Sequence, residues 1–193
     1  MQTSTPVFTP ITLDTPRLSL RFVRDSDADA IFRLFTDPEA LQYWSFAPWS
    51  GREQAEENVR DTLAGYADGS VLTFAITLAG NGEMIGKCRL SKFSPQNRRC
   101  EIGYILDRAH WGNGYAREAL AALVAHAFDA LDMLRIEADV DPRNRASTIL
   151  LERLHFVHEG HLRQRWIVAG EVCDTDFYGL LRQDWEAGLK KVA

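Results

Sequence analysis

Gly112 and Gly114 stand one residue apart, directly ahead of an amphipathic stretch, and their type and spacing suit them to hold a ligand. Glycine takes backbone angles closed to other residues and leaves no side chain between main chain and ligand. An apolar run, Gly103 to Leu106, precedes the loop, and a helical pattern opens just after it near Tyr115. The first four N–H groups of a helix lack internal partners and carry the positive end of its dipole. Strand, bare amides and helix start together form a socket for phosphate. A dinucleotide fold would want GxGxxG with an acidic residue about 20 positions on, and here Arg117 replaces the third glycine. No Lys-Ser or Lys-Thr follows Gly114, which excludes a Walker loop. On these residues alone, a tight turn without a ligand stays open.

Other chemistry-bearing groups offer less. His155, His158 and His161 recur at every third residue. On a strand that spacing sends successive side chains to opposite faces, so no shared metal is expected. Cys88, Cys100 and Cys173 are odd in number and far apart, with no zinc spacing and no CxxC pair. A reduced compartment is the plain reading.

The elements that must position the loop follow from composition and periodicity. A chain of 193 residues can bury one sizeable core and is short for two, so one domain over residues 1–193 is expected. Its 46% hydrophobic and 25% charged content is that of a soluble globular protein. A net charge of -5 and a pI near 5.5 leave no nucleic-acid footprint. Met1 to Pro6 show neither the basic start nor the apolar run of a signal peptide. No apolar stretch approaches the roughly 20 residues that span a bilayer. A cytoplasmic protein without membrane or nucleic-acid partners is the expectation.

Leu18, Leu20 and Phe22 alternate within a strand over 17–23, and Ala28, Ile31, Phe32 and Phe35 recur at helical spacing up to Asp37-Pro38. Ser50 to Glu53 fits a capping box opening a second helix with Ala55, Val59, Leu63 and Tyr66 inside. Strands over 71–78 and 83–90 flank Gly80-Asn81-Gly82, a hairpin signal, and another strand spans about 100–106. The helix after the glycine loop buries Ala119, Leu120, Leu123, Ala127 and Phe128. Leu134 to Val140 alternates as a strand, and a helix begins near Asn144 with Ala146, Ile149, Leu150 and Leu154. Two strands, about 156–168 and 174–181, close the chain through a turn at Ala169-Gly170. The predicted fold is α/β (α+β), a mixed central sheet with helices on both faces.

The loop resembles the acyl-CoA-binding signature of the GNAT N-acetyltransferase superfamily, Q/R-x-x-G-x-G/A. The flanks resemble its RimJ/RimL-type branch, the ribosomal-protein-alanine N-acetyltransferases. Four blocks carry the likeness through most of the chain: Thr15 to Arg21; Glu101 to Leu106 with His110 to Ala116; Asn144 to Ser147 with Leu151 to Phe156 and Glu159-Gly160; and Asp174, Tyr178, Leu180 and Leu181 before Trp185. Two departures stand out. Ala109 sits where the signature has Gln or Arg, which leaves the grip to main-chain amides, and His155 replaces the glycine of an LGF turn.

The resemblance implies acetyl-CoA as acyl donor. The amides of Gly112, Asn113, Gly114, Tyr115 and Ala116 would hold its pyrophosphate. The strand end Tyr104, Ile105 and Leu106 would splay to pair with the pantetheine arm, and Asn144 would lie beside the thiol with Ser147. Transfer to an amine then needs a neutral amine, a donor for the oxyanion and a proton for the thiolate. Glu101 is the candidate base, directly or through water, with an exposed strand-edge carboxylate as the alternative. A main-chain N–H near Ile105 or Leu106 is the candidate oxyanion donor. Leu151 takes the place of the tyrosine acid found in many members, so Ser147 or water would protonate the sulfur; a helix-start hydroxyl bonded to backbone is the alternative for Ser147. Asn144 has a similar alternative as a cap.

For the acceptor, Tyr43, Trp44, Phe46 and Trp49 form an aromatic loop that walls a pocket or plugs a core edge, and Trp166 is a further candidate wall. Among Arg108, Arg117 and Arg145, one or two would meet phosphates. The implied activity is acetyl transfer to a primary amine by direct attack, with a protein N-terminus as acceptor and a homodimer possible. A small-amine acetyltransferase and a non-catalytic acyl-CoA-binding module are the alternatives.

Overall fold

Period-two alternation and two helical stripes resolve into one sheet with helices on each face. The computed structural model describes residues 7–168 and 170–190; Met1 to Pro6 and the Ala169 half of the predicted turn lie outside the described residues. The strands are β1 (Thr12–Asp14), β2 (Leu18–Phe22), β3 (Val71–Leu78), β4 (Met84–Ser94), β5 (Arg99–Leu106), β6 (Arg135–Val140), β7 (Val157–Val168) and β8 (Glu171–Leu181). The helices are α1 (Ala28–Thr36), α2 (Arg52–Asp68), α3 (Tyr115–Asp129), α4 (Arg145–Arg153) and α5 (Arg182–Lys190). The sheet order is β1-β2-β3-β4-β5-β6-β8-β7, antiparallel throughout except for the parallel β5–β6 pair.

The larger core lies on the α3 face, where Cys100, Ile102 and Leu106 of β5 and Ile136, Ala138 and Val140 of β6 meet Leu120, Leu123 and Phe128 of α3. The opposite face packs Ala75 and Ile105 against Ile31 and Phe35 of α1 and Ala55 and Val59 of α2. Alternation therefore turns Glu101, Glu137 and Asp139 toward the α1–α2 side and Tyr104 toward α3 and α4.

Three local readings need correction. The sequence pattern missed β1, which has three residues in an exposed-intermediate-exposed pattern and so no apolar alternation. It also missed α5, a polar segment with a weak helix former at Gly188 that docks through Trp185 on Phe128, ring centroids 5.1 Å apart. At the start of α2 the cap is shifted by one: Gln54, not Glu53, reaches back to accept from the Ser50 and Gly51 amides at 2.9 and 3.1 Å.

Candidate active site

The glycine loop is held open from outside. Gly112 and Gly114 both take left-handed angles, φ 76° and 78°, and Gly114 is the residue from which α3 starts. Arg17, entering β2, donates to the Asn113 carbonyl at 2.9 Å and to Glu118 at 2.7 Å, and lies over the Tyr115 ring. Thr15 donates to the same Glu118 carboxylate at 2.7 Å. Burial pushes that carboxyl up, but the bonds from Thr15 and Arg17 outweigh it and hold it below its ordinary range. The amides of Gly112 to Arg117 find no protein acceptor among the described residues. Six free donors at a helix start are what a pyrophosphate needs, so the loop fits an acyl-CoA without the missing Gln or Arg side chain.

The loop opens onto a split in the sheet. Parallel pairing of β5 and β6 covers Arg99 to Glu101 with Arg135 to Glu137 and goes no further. The Asp107 amide donates to the Ile85 carbonyl at 2.8 Å, which fixes the β4–β5 register. Ile105 therefore turns its main chain to β4, and Tyr104 and Leu106 turn theirs into the gap. Trp111 donates from Nε1 to the Leu106 carbonyl at 2.8 Å, leaving the Leu106 N–H directed into the opening.

On the α3–α4 side of the gap, Tyr104 Oη and Ser147 Oγ are 2.5 Å apart. Burial pushes the Tyr104 phenol up to about 12, only partly offset by the bond to Ser147. It therefore stays protonated and can pass a proton to Ser147. Asn144 caps α4, its side-chain oxygen accepting from the Ser147 amide at 3.1 Å, and so fixes where the serine stands. Leu151, at the position of the absent tyrosine, is fully buried in the core.

On the α1–α2 side, Glu101 is 18% exposed and ion-paired with Lys92 at 2.7 Å. Beside it Glu137 is paired with Arg99 at 2.6 Å and Arg135 at 2.8 Å. Lys87 of β4 is buried beneath α2, its Nζ bonded to Asn58 Oδ1 at 2.5 Å and 5.6 Å from the Phe35 ring centroid. Burial, with Arg89 adding repulsion, lowers its ammonium to about 7. The aromatic loop packs on Phe35, with Trp49 stacked at 4.4 Å and Trp44 edge-on at 5.3 Å.

The chain matches a known family in sequence and in fold. The chain matches the acetyltransferase (GNAT) domain family over residues 17–157. It is 36% identical over 174 residues, 90% of this chain and 98% of the relative, to the uncharacterized N-acetyltransferase p20 of Bacillus licheniformis. The chain belongs to the GNAT acetyltransferase family. Its enzymes use acetyl-CoA as donor. The likeness to the RimJ/RimL-type branch holds as well. The ribosomal-protein-serine acetyltransferase of Escherichia coli is 30% identical over 134 residues, 67% of this chain and 74% of that protein. The fold matches that of the Vibrio cholerae spermidine N-acetyltransferase solved with CoA and spermine, at TM-score 0.80 and 24% identity, over 89% of this chain and 99% of that one.

Within this acetyltransferase the structure links Tyr104, Ser147 and Asn144 by hydrogen bonds on the α3–α4 side of the split, and ties Leu106 to Trp111 just ahead of Gly112 to Ala116. Glu101 lies on the other face of β5, at the last paired level. Arg108 is tied to Asp37 at 3.0 Å and Glu39 at 2.9 Å, whereas Arg117 and Arg145 are exposed at the starts of α3 and α4. Trp166 stands on β7 with Arg165 over its ring and stacks on none of the loop aromatics. Strict alternation does not hold along the three histidines. Irregular pairing between His158 and Gly160 brings His158 and His161 to the same Asp176, at 3.3 and 2.8 Å. Bonds to Asp176 and Asp174 raise the His161 imidazole, and no metal-holding cluster is found among the described residues. Sequence reasoning missed the Tyr104 hydroxyl, the Arg17–Glu118–Thr15 clamp and Lys87. A strand tyrosine, a turn arginine and a strand lysine carry no spacing signal of their own.

Proposed function

We propose that this acetyltransferase moves an acetyl group from acetyl-CoA to a primary amine by direct attack, and that the acceptor is a protein N-terminal amine. One juxtaposition carries the reading: free loop amides open into a sheet split flanked by Tyr104–Ser147 on one face and by carboxylates on the other. The E. coli relative's action on ribosomal-protein serine favours the N-terminal acceptor. A small polyamine is the second reading, because the spermidine N(1)-acetyltransferase of V. cholerae is 25% identical over 82% of this chain.

Acetyl-CoA supplies an acetyl group activated as a thioester. The amides of Gly112 to Ala116 hold its pyrophosphate, with Arg117 and Arg145 near enough in chain position to assist. Glu101 receives the proton that the amine nitrogen sheds as its bond to the acetyl carbon forms. The Leu106 N–H, turned into the gap, holds the charge that builds on the carbonyl oxygen. Ser147 gives its proton to the sulfur as the carbon–sulfur bond breaks, and Tyr104, refilled by solvent, restores it.

The proposal takes residues 1–193 as one such domain in a cytoplasmic enzyme, its three cysteines being unbridged and buried. It also takes the exposed apolar side chains of the β7–β8 hairpin, Ile167 at 70% and Val172 at 55%, as the surface a second copy covers. Thiol release from acetyl-CoA across Ala- and Ser-starting peptides, spermidine and free amino acids tests the reaction. Preference for the peptides supports the reading, activity on spermidine alone replaces the acceptor, and no release with any amine overturns catalysis. Unchanged turnover in Glu101→Gln removes the base assignment.

A further inference from the structure

We propose that Asp139 is the carboxylate that receives the acceptor's ammonium, and that Arg165 occupies its place until the acceptor arrives. The inference rests on the amine-acetyltransferase reading above. Asp139 is the first residue of β6 on the α1–α2 face beyond the last level paired with β5. Extending the register places it across the gap from Gly103, where there is no side chain to fill the space; a Cβ there would meet only Arg89, at 3.5 Å.

Three carboxylates line this face near the split, and two are already matched. Glu101 has Lys92, and Glu137 has Arg99 and Arg135. Asp139 Oδ2 is buried and accepts no hydrogen bond among the described residues. Its other oxygen has only a long contact of 3.4 Å from Thr175, whose hydroxyl is nearer to the Val140 carbonyl at 3.1 Å. A buried carboxylate oxygen without a donor is costly, so such a group marks a place where a cation is expected.

The covering group is built to leave. Between Leu162, opposite Thr175, and Trp166, opposite Cys173, β7 carries extra residues that bulge from the ladder. Gln164 takes φ 54° there, and its amide donates to Asp174 at 2.7 Å. The bulge sends Arg165 toward Asp139, with Nη2 3.9 Å from Oδ2 and nearly half of the side chain exposed. At that distance it supplies charge without a hydrogen bond. A primary ammonium is smaller and carries up to three donors, so it can close the contact that the guanidinium leaves open. The site thus holds a cationic primary amine on its approach; the ammonium passes one proton to solvent before its nitrogen attacks, and Glu101 takes the second as the bond forms.

The test compares Asp139→Asn, Arg165→Gln and the unmodified full chain, each loaded with CoA, for binding of spermidine and an Ala-starting peptide by calorimetry. The N-acetylated peptide and spermidine acetylated on all three nitrogens serve as uncharged controls. Asp139→Asn should weaken binding of the amines roughly tenfold or more, the loss of one charge-assisted bond, and leave CoA affinity and the uncharged controls unchanged. Arg165→Gln should tighten amine binding severalfold, which keeps the proposal testable if the Asp139 variant does not fold. Amine affinity within twofold of the parent in both variants, or an equal loss toward CoA, overturns it. Amine binding that depends on Asp139 without any acetyl transfer would leave this site standing and remove the transfer reading instead.

Discussion

At the scale of single residues, two protonation states matter, one for the chemistry and one for stability. Ser147 can give up its proton and draw a replacement from Tyr104, 2.5 Å away, whose phenol burial raises to about 12. A thiol leaving group has a pKa near 8.5, so the demand on that donor is mild. Ser147→Ala should therefore lower kcat by at most about 10²-fold, the lower end of what a positioned proton donor contributes, with the KM for acetyl-CoA little changed. Steady-state kinetics check this, and an unchanged kcat would assign the proton to water. Lys87 makes the second case. Its ammonium is lowered by burial to about 7 in the fold against 10.5 for a free lysine. Between those values the unfolded chain binds the extra proton, so stability rises with pH across the window and the cost of burying the charge is greatest below it. Urea midpoints should climb as pH rises through this range, and Lys87→Met should flatten the climb. An equal slope in both proteins would show that the lysine does not titrate there.

At the scale of elements, the turn from α4 into β7 shows how a substitution is absorbed. His155 keeps the left-handed angle that a glycine would take there, φ 67°, and its ring lies against Gly188 of α5. His155→Gly removes the strain of that angle and loses only this edge contact. It should stabilise the fold by about 1 kcal/mol, or about 2–4 °C in Tm for a chain of this size. A lower Tm would mean that the ring's packing on α5 outweighs the strain. The same region marks the limit of sequence reading. Strands with alternating apolar residues, such as β2 and β6, and helices with a stripe, such as α1 and α3, were legible because burial imposes their period, and β3 was legible from the hairpin turn that follows it. The glycine loop was legible because both glycines need angles that other residues avoid. The irregular pairing in β7 and the Tyr104–Ser147 contact were not. They depend on register between residues 43 positions apart or on opposite strands, and no local pattern encodes that.

At the scale of the molecule, the sheet is two antiparallel halves, β1 to β5 and β6-β8-β7, joined through one short parallel seam. Beyond Glu101 the facing edges of Tyr104 to Leu106 and Ala138 to Val140 lack strand partners toward each other. An acyl donor lying in the split would supply those partners and tie the halves together at the α3 amides as well. Binding of a ligand to the folded state alone adds about 2.7 kcal/mol of stability at a hundredfold excess over Kd. Acetyl-CoA should therefore raise Tm and slow amide exchange at Tyr104 and Leu106, whose N–H groups face the split. The Ile105 amide, already turned to β4, should change far less. Gly114→Val should abolish both effects, since valine resists the left-handed angle at the helix start even though the space around it is open apart from Arg17 at 3.5 Å. Protection spread evenly over all three amides would mean that the donor stabilises the sheet globally, without using the split as its pairing edge.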